Sequence, residues 1–120
     1  MMTSKEMSEK IVGVLASKIG KDIKLLKIDK ITVIADYFVV CTANSTTQIK
    51  TLCDEVEAAL EAEGEKVLHR EGYRNGGWVL LDYGCVVVHV FMEDAREHYN
   101  LERLWQDAED IDISGIVGQR

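Results

Sequence analysis

Apolar residues near the start of the chain recur at Met7, Ile11, Val14, Leu15 and Ile19, the three-and-four spacing of a helix with one buried face. Thr3 and Glu6 form a capping box ahead of them and Gly20 supplies a stop, so the pattern predicts a first amphipathic helix. Between Ile23 and Asp29 apolar residues interleave with Lys24 and Lys27, and β-branched Ile31, Thr32, Val33 and Ile34 follow, which predicts one strand and a short connection. Tyr37 to Cys41 is a near-continuous apolar run, the signature of a central strand covered on both faces. Ser45 with Gln48 makes a second capping box, and Ile49, Leu52, Cys53, Val56 and Leu60 mark one helical face that stops at Gly64.

Three strand patterns come next: Glu65 to Arg70, Trp78 to Tyr83 after a glycine-rich connection, and Cys85 to Met92 after a tight corner at Gly84. The last of these contains Val86 to Phe91 and must be buried on both sides. Glu93 and Asp94 suit the start of a final helix, with Ala95, Tyr99, Leu101, Leu104 and Trp105 on a mixed apolar face. Gln106 to Arg120 carries no strong pattern; residues 3–108 are expected to form the ordered core and 109–120 a flexible C-terminal tail. The resulting order, α-β-β-α-β-β-β-α, predicts a single α/β (α+β) domain with a mixed sheet of about five strands and helices packed on it.

Length agrees with one domain: 120 residues leave no room for a two-domain enzyme, and folding should bury roughly two-thirds of the chain's surface without disulfides or a structural metal. Cys41, Cys53 and Cys85 are an odd number, widely spaced in apolar stretches, and read as reduced core thiols of a cytoplasmic protein. No run approaches the length of a membrane span. The formal charge of −7 disfavours a direct duplex DNA binder. That charge is concentrated, since residues 93–112 hold eight acids and two bases, so a cationic partner feels the strongest field there.

Candidate chemistry is sparse. The turn Thr42 to Thr47 could offer backbone N–H groups to an anion at a helix start, but it lacks the lysine and glycines of a phosphate loop, and ordinary capping is the better reading. Asp36, Asp82, Glu93 and Asp94 lie at strand ends, yet the paired acids a two-metal transferase needs are absent there, and Asp110-Ile111-Asp112 has the spacing but lies in the weakly patterned tail, so neither a metal nor a cofactor is expected. His89 sits in an apolar strand, where a hydrogen-bonded core histidine is commoner than a ligand or base. Lysines 18, 21, 24, 27 and 30 recur every third residue and read as a solvated rim, with a peripheral RNA contact as the lesser reading. The aromatic residues carry more. Strand alternation puts Trp78, Leu80 and Asp82 on one face and Val79, Leu81 and Tyr83 on the other. If the first face is uncovered, it presents an apolar anchor beside an acid, which suits a basic protein better than a metabolite.

Three blocks support a family resemblance. Asp36 to Ser45, Trp78 to Phe91 and Glu93 to Trp105 resemble, in order and spacing, the corresponding segments of the ribosomal silencing factor family, also called RsfS or Iojap-like. The similarity spans about Lys10 to Ala108. Cys85 stands where the family pattern often has Asp, and Asn44 where it often has Gly. The resemblance implies a nucleotidyltransferase-like fold without the catalytic acids, and a regulator rather than an enzyme. It implies binding to the large ribosomal subunit through ribosomal protein L-fourteen, which blocks joining of the small subunit and lowers translation, or aids large-subunit assembly. The residues expected at that contact are Trp78 as anchor, Asp82 as charge complement, Leu80, Arg96, Tyr99 and Trp105. Two rivals stand beside it: a small nucleotidyltransferase-like enzyme using Asp36, Asp82 and a metal, and a weak homodimer formed through the aromatic face.

Overall fold

A computed structural model describes residues 2–30, 33, 35–72, 77–93, 106 and 108–117. Helix α1 runs Ser4–Ser17, strand β1 Lys21–Lys27, β2 Tyr37–Ala43, α2 Thr46–Ala62, β3 His69–Glu71, β4 Trp78–Asp82, β5 Val86–Met92 and β6 Glu109–Asp110, and a single-turn helix α3 spans Ser114–Val117. The strands form one mixed sheet in the order β3-β4-β5-β2-β1-β6. Among the described strands only the central pair β2–β5 is parallel, from Tyr37↔Val86 to Ala43↔Met92. The others are antiparallel. Parallel neighbours need a long crossover, and α2 with the β3–β4 hairpin supplies it.

The main core lies between one sheet face and the helices. Met7, Ile11 and Leu15 of α1 and Ile49, Leu52, Cys53, Val56 and Leu60 of α2 pack on Val39, Cys41, Val79, Leu81, Val88 and Val90. A smaller cluster on the opposite face joins Leu26, Ile28, Ala35, Phe38 and Val87, with Leu80 and Ala108 against it. Strands β2 and β5 are buried on both faces, as their unbroken apolar runs require.

Both long helices start as their sequences indicate, with differences at the caps. Thr3 and Glu6 form the complete reciprocal box at α1. At α2, Ser45 Oγ accepts from Gln48 N, but Gln48 does not reach back to Ser45. Its Oε1 accepts from Asn44 N at 2.6 Å while its Nε2 donates to Ile19 O at 3.0 Å, tying the helix start to the end of α1. Gly64, at φ 83°, ends α2 in a Schellman motif, with Gly64 N donating to Glu61 O and Glu65 N to Leu60 O. Gly20 has a different role from the expected stop. The left-handed residue after α1 is Ile19, at φ 65°, whereas a Cβ on Gly20 would lie 2.6 Å from Cys41 Sγ and 2.9 Å from Leu15 O. Glycine is needed there for close approach of the helix end to β2.

Four further expectations need correction. The third strand is only His69–Glu71, where the backbone pairs with β4 from His69↔Asp82 to Glu71↔Leu80. The first strand begins at Lys21 and tolerates an irregularity between Lys21 and Lys24, where Asp22 takes φ 48°. The sheet has six strands rather than about five, and residues 109–117, expected as part of a flexible tail, are packed. Glu109 and Asp110 pair with Lys27 and Leu26, and Ile111, Ile113, Ile116 and Val117 rest on the main core. Backbone pairing lets a polar dipeptide act as a strand, which a hydrophobic pattern does not reveal. The final helix expected from Glu93 to Trp105 lies, beyond Glu93, outside the described residues, as does most of the Gly72–Gly77 connection.

Gln48 bridges two segments, so Gln48→Ala should lower stability by about 1–2 kcal/mol in urea denaturation, where loss of an ordinary exposed glutamine lies within about 0.5.

Candidate functional site

Strand β4 pairs with β5 through Trp78↔Phe91, Leu80↔His89 and Asp82↔Val87, and β5 pairs with β2 through Val87↔Phe38, His89↔Val40 and Phe91↔Thr42. Pleating therefore gathers Trp78, Leu80, Asp82, His89, Phe91 and Phe38 on the sheet face that α1 and α2 do not cover. Val79 and Leu81 point into the helix-covered core and are fully buried. Trp78, Leu80 and Asp82 are each half-buried.

The indole of Trp78 is held from two sides. It stacks on Phe91, with ring centroids 5.3 Å apart and planes 19° from parallel, and its Nε1 donates to His89 Nδ1 at 3.3 Å. His89 is buried and meets Phe38 edge-on at 4.8 Å, so the histidine is a hydrogen-bonded member of an aromatic row. Asp82 Oδ1 accepts from Gly84 N at 2.7 Å, closing the β4–β5 corner and fixing the carboxylate at the strand end. Leu80 packs on the satellite cluster beside them. Of the six residues expected at the contact, these three share one patch; Arg96, Tyr99 and Trp105 lie outside the described residues.

The residues the enzymatic rival would use lie at separate elements. Asp36 precedes β2 and Asp82 ends β4, with β5 between them, and Asp82 Oδ1 is already engaged by Gly84 N. Thr42 is buried within β2, and beside the start of α2 Gln48 N donates to Ser45 Oγ and Asn44 N to Gln48 Oε1. Among the described residues no group of three or more His, Cys, Asp or Glu side chains is placed to hold a metal ion. No described helix is long and apolar enough to cross a membrane.

The lysine rim is partly committed to ion pairs, Lys18 with Glu55 at 3.8 Å and Lys24 with Asp110 at 3.6 Å. Asn44 does not use a left-handed backbone, so the turn has no need of glycine there. Cys85 is half-buried, and burial pushes its thiol up, as it pushes Cys53 to about 12; neither is poised as a nucleophile.

Sequence patterning did not reveal a charged cluster behind the sheet. Arg70 of β3 reaches α2, bonding Glu57 and, at 3.2 Å, Asp54, which Lys50 also contacts at 3.0 Å. Desolvation raises Glu57 more than Arg70 lowers it, whereas at Asp54 the bonds from Lys50 and Arg70 outweigh desolvation and hold the carboxyl low. Tyr83 is buried next to this cluster, and desolvation raises its phenol. Only the i, i+4 pair of Lys50 and Asp54 is a sequence signal; the β3 partner is a tertiary contact.

The family described as "Ribosomal silencing factor during starvation" matches residues 1–120. A ribosomal silencing factor from Bacillus subtilis is 38% identical over 98% of this chain and 100% of its own length. One from Halalkalibacterium halodurans is 35% identical, covering 97% and 99%. A crystal structure from Chromobacterium violaceum superposes with a TM-score of 0.85 at 36% identity, covering 88% of each chain. The small mixed α+β fold thus has a solved counterpart. This chain belongs to the ribosomal silencing factor family.

Arg70 favours the ionised form of both carboxyls: at Asp54, held low, its contribution is present above the unfolded value near pH 4 and is lost as pH falls, whereas at Glu57, where desolvation outweighs Arg70, the pairing is complete only above the raised folded value. Replacing it should therefore cost more at high pH. The stability deficit of Arg70→Met, measured by urea titration, should be larger at pH 7 than at pH 4 or below.

Proposed function

We propose that this protein is a cytoplasmic, non-enzymatic translation regulator that docks on the large ribosomal subunit through ribosomal protein L-fourteen and obstructs joining of the small subunit by its bulk. The observation that carries the reading is the family match over residues 1–120. The patch of Trp78, Leu80 and Asp82 adds a physical route: a ring anchor and an aliphatic neighbour exclude water, while the carboxylate faces a cationic surface. The acids of residues 93–112 complement a basic partner and speed its encounter more than they tighten the complex. Arg96, Tyr99 and Trp105 complete the proposed contact, and the lysine rim supplies a peripheral rRNA contact. A role in assembling the large subunit accompanies silencing in this reading. A mouse relative, 26% identical over 79% of this chain and 43% of its own length, is named for mitochondrial assembly of the ribosomal large subunit.

Truncating an interface anchor typically costs at least ~2 kcal/mol, roughly thirtyfold in affinity. Trp78→Ala should therefore abolish co-sedimentation with large subunits and restore subunit joining in sucrose gradients. Because Trp78 also stacks on Phe91, the melting curve is measured in parallel, and Asp82→Lys serves as the charge test. Normal co-sedimentation by a folded Trp78→Ala protein removes this patch from the contact. Turnover of a nucleoside triphosphate with no effect on joining overturns the function.

A further inference from the structure

The C-terminal segment that covers the outer edge of β1 is weakly held there. Strand β6 contributes two register pairs, Leu26↔Asp110 and Lys27↔Glu109, and Ile111 N adds one bond to Leu25 O at 2.9 Å. Ile111, Ile113, Ile116 and Val117 face the main core, yet each stays partly exposed, and α3 has no fully buried residue. Leu25 and Leu26 of β1, by contrast, are buried. A groove of about 430 Å³ runs along the seam, with Gly20, Ile23 and Lys24 on one bank and Asp110, Ile113 and Val117 on the other. A two-residue ladder, a single helical turn and half-buried side chains belong to the low-stability end of a fold, which opens without global unfolding.

Charge and pattern define what this place accepts. Strand β1 carries Lys21, Lys24 and Lys27 against one acid, Asp22, while residues 107–117 hold four acids and no base. Lys24 Nζ lies 3.6 Å from Asp110 Oδ2, and Asp112 accepts from Ser114 N at 2.9 Å, which keeps its carboxyl low and ionised. The docked sequence Glu109-Asp110-Ile111-Asp112-Ile113 alternates acids with aliphatic residues that reach the core, so main-chain bonds give affinity and alternate side chains give selectivity.

We propose that the β1 edge and its adjoining groove form a strand-addition site for an extended, acidic and isoleucine- or valine-bearing segment of a partner protein, with the chain's own residues 109–117 as the displaceable resident. The β1 bank of the site is held by the main core, in which Leu25 is buried, while the opposite bank is the resident segment itself. The inference is independent of ribosome docking and is read without ribosomes.

The probe is a fluorescent peptide of residues 106–117, added to the full-length protein and to a full-length Ile111→Ser/Ile116→Ser variant whose resident is loosened. Removing a competitor raises apparent affinity in proportion to the site freed, so the variant should bind the peptide about tenfold tighter or better than wild type. A peptide with Lys in place of its acids should fail, and Lys24→Glu in the variant should weaken the native peptide. Equal affinity for the two proteins, or equal binding of the charge-reversed peptide, overturns the site. Hydrogen exchange on the wild-type chain guards against a misfolded variant: the Ile111 amide should exchange at least ~100-fold faster than amides of β2 and β5, and equal protection overturns displaceability. A wild-type dimer that forms with concentration and is dissolved by the peptide would assign the site to a second copy, overturning the assignment to a partner.

Discussion

The parallel pairing of β2 with β5 is the constraint on which the rest of the molecule depends. Seven residues of each strand are in register, and the two strands are buried on both faces apart from the last residue of β5. Parallel neighbours cannot be joined by a tight turn, so the chain between them must leave the sheet and return. It does so through α2, which covers one face, and through β3 and β4, which extend the sheet beyond β5. The antiparallel partner β1 then occupies the free side of β2, and α1 lies over the same face as α2. Even Gly20 follows from this centre, since the end of α1 can approach β2 only where no Cβ meets Cys41.

The two faces of that sheet differ in purpose because their strands differ in composition. On the helix side, Val39, Cys41, Val79, Leu81, Val88 and Val90 are aliphatic or small and pack tightly against two helices. On the other side, Phe38, His89, Phe91 and Trp78 form an aromatic row, and Leu80 closes a smaller cluster. Rings stacked on rings leave edges and polar atoms at the margin, where they can meet water or another surface. The proposed contact draws on that margin rather than on the core.

Much of this was legible because periodicity is strong where burial is strong. The α1 and α2 faces, the two-sided burial of β2 and β5, and the shared face of Trp78, Leu80 and Asp82 all follow from spacing alone. What escaped depends on contacts between distant residues. The bond from Trp78 to His89 joins neighbouring strands eleven positions apart in sequence, and Arg70 reaches Glu57 from another element. Glu109 and Asp110 look like solvated tail residues, and their strand exists only because β1 offers an edge and four aliphatic residues follow at irregular spacing. Gln48 reads as half of a capping box, but its carboxamide has better partners in Asn44 and Ile19.

Trp78 shows how the fold and the proposed contact share a residue without conflict. A loose surface tryptophan would lose rotamer freedom on binding, at about 0.5–1.5 kcal/mol for an immobilised side chain. Here Phe91 beneath and His89 beside already fix the ring, so the entropy is lost on folding, where the stack and the hydrogen bond offset it. Asp82 is treated alike, its carboxylate oriented by the Gly84 amide at the strand end. A partner therefore meets a ring and a charge at a set separation on a rigid strand. In the proposed contact, shape and charge presented this way distinguish one basic surface from others.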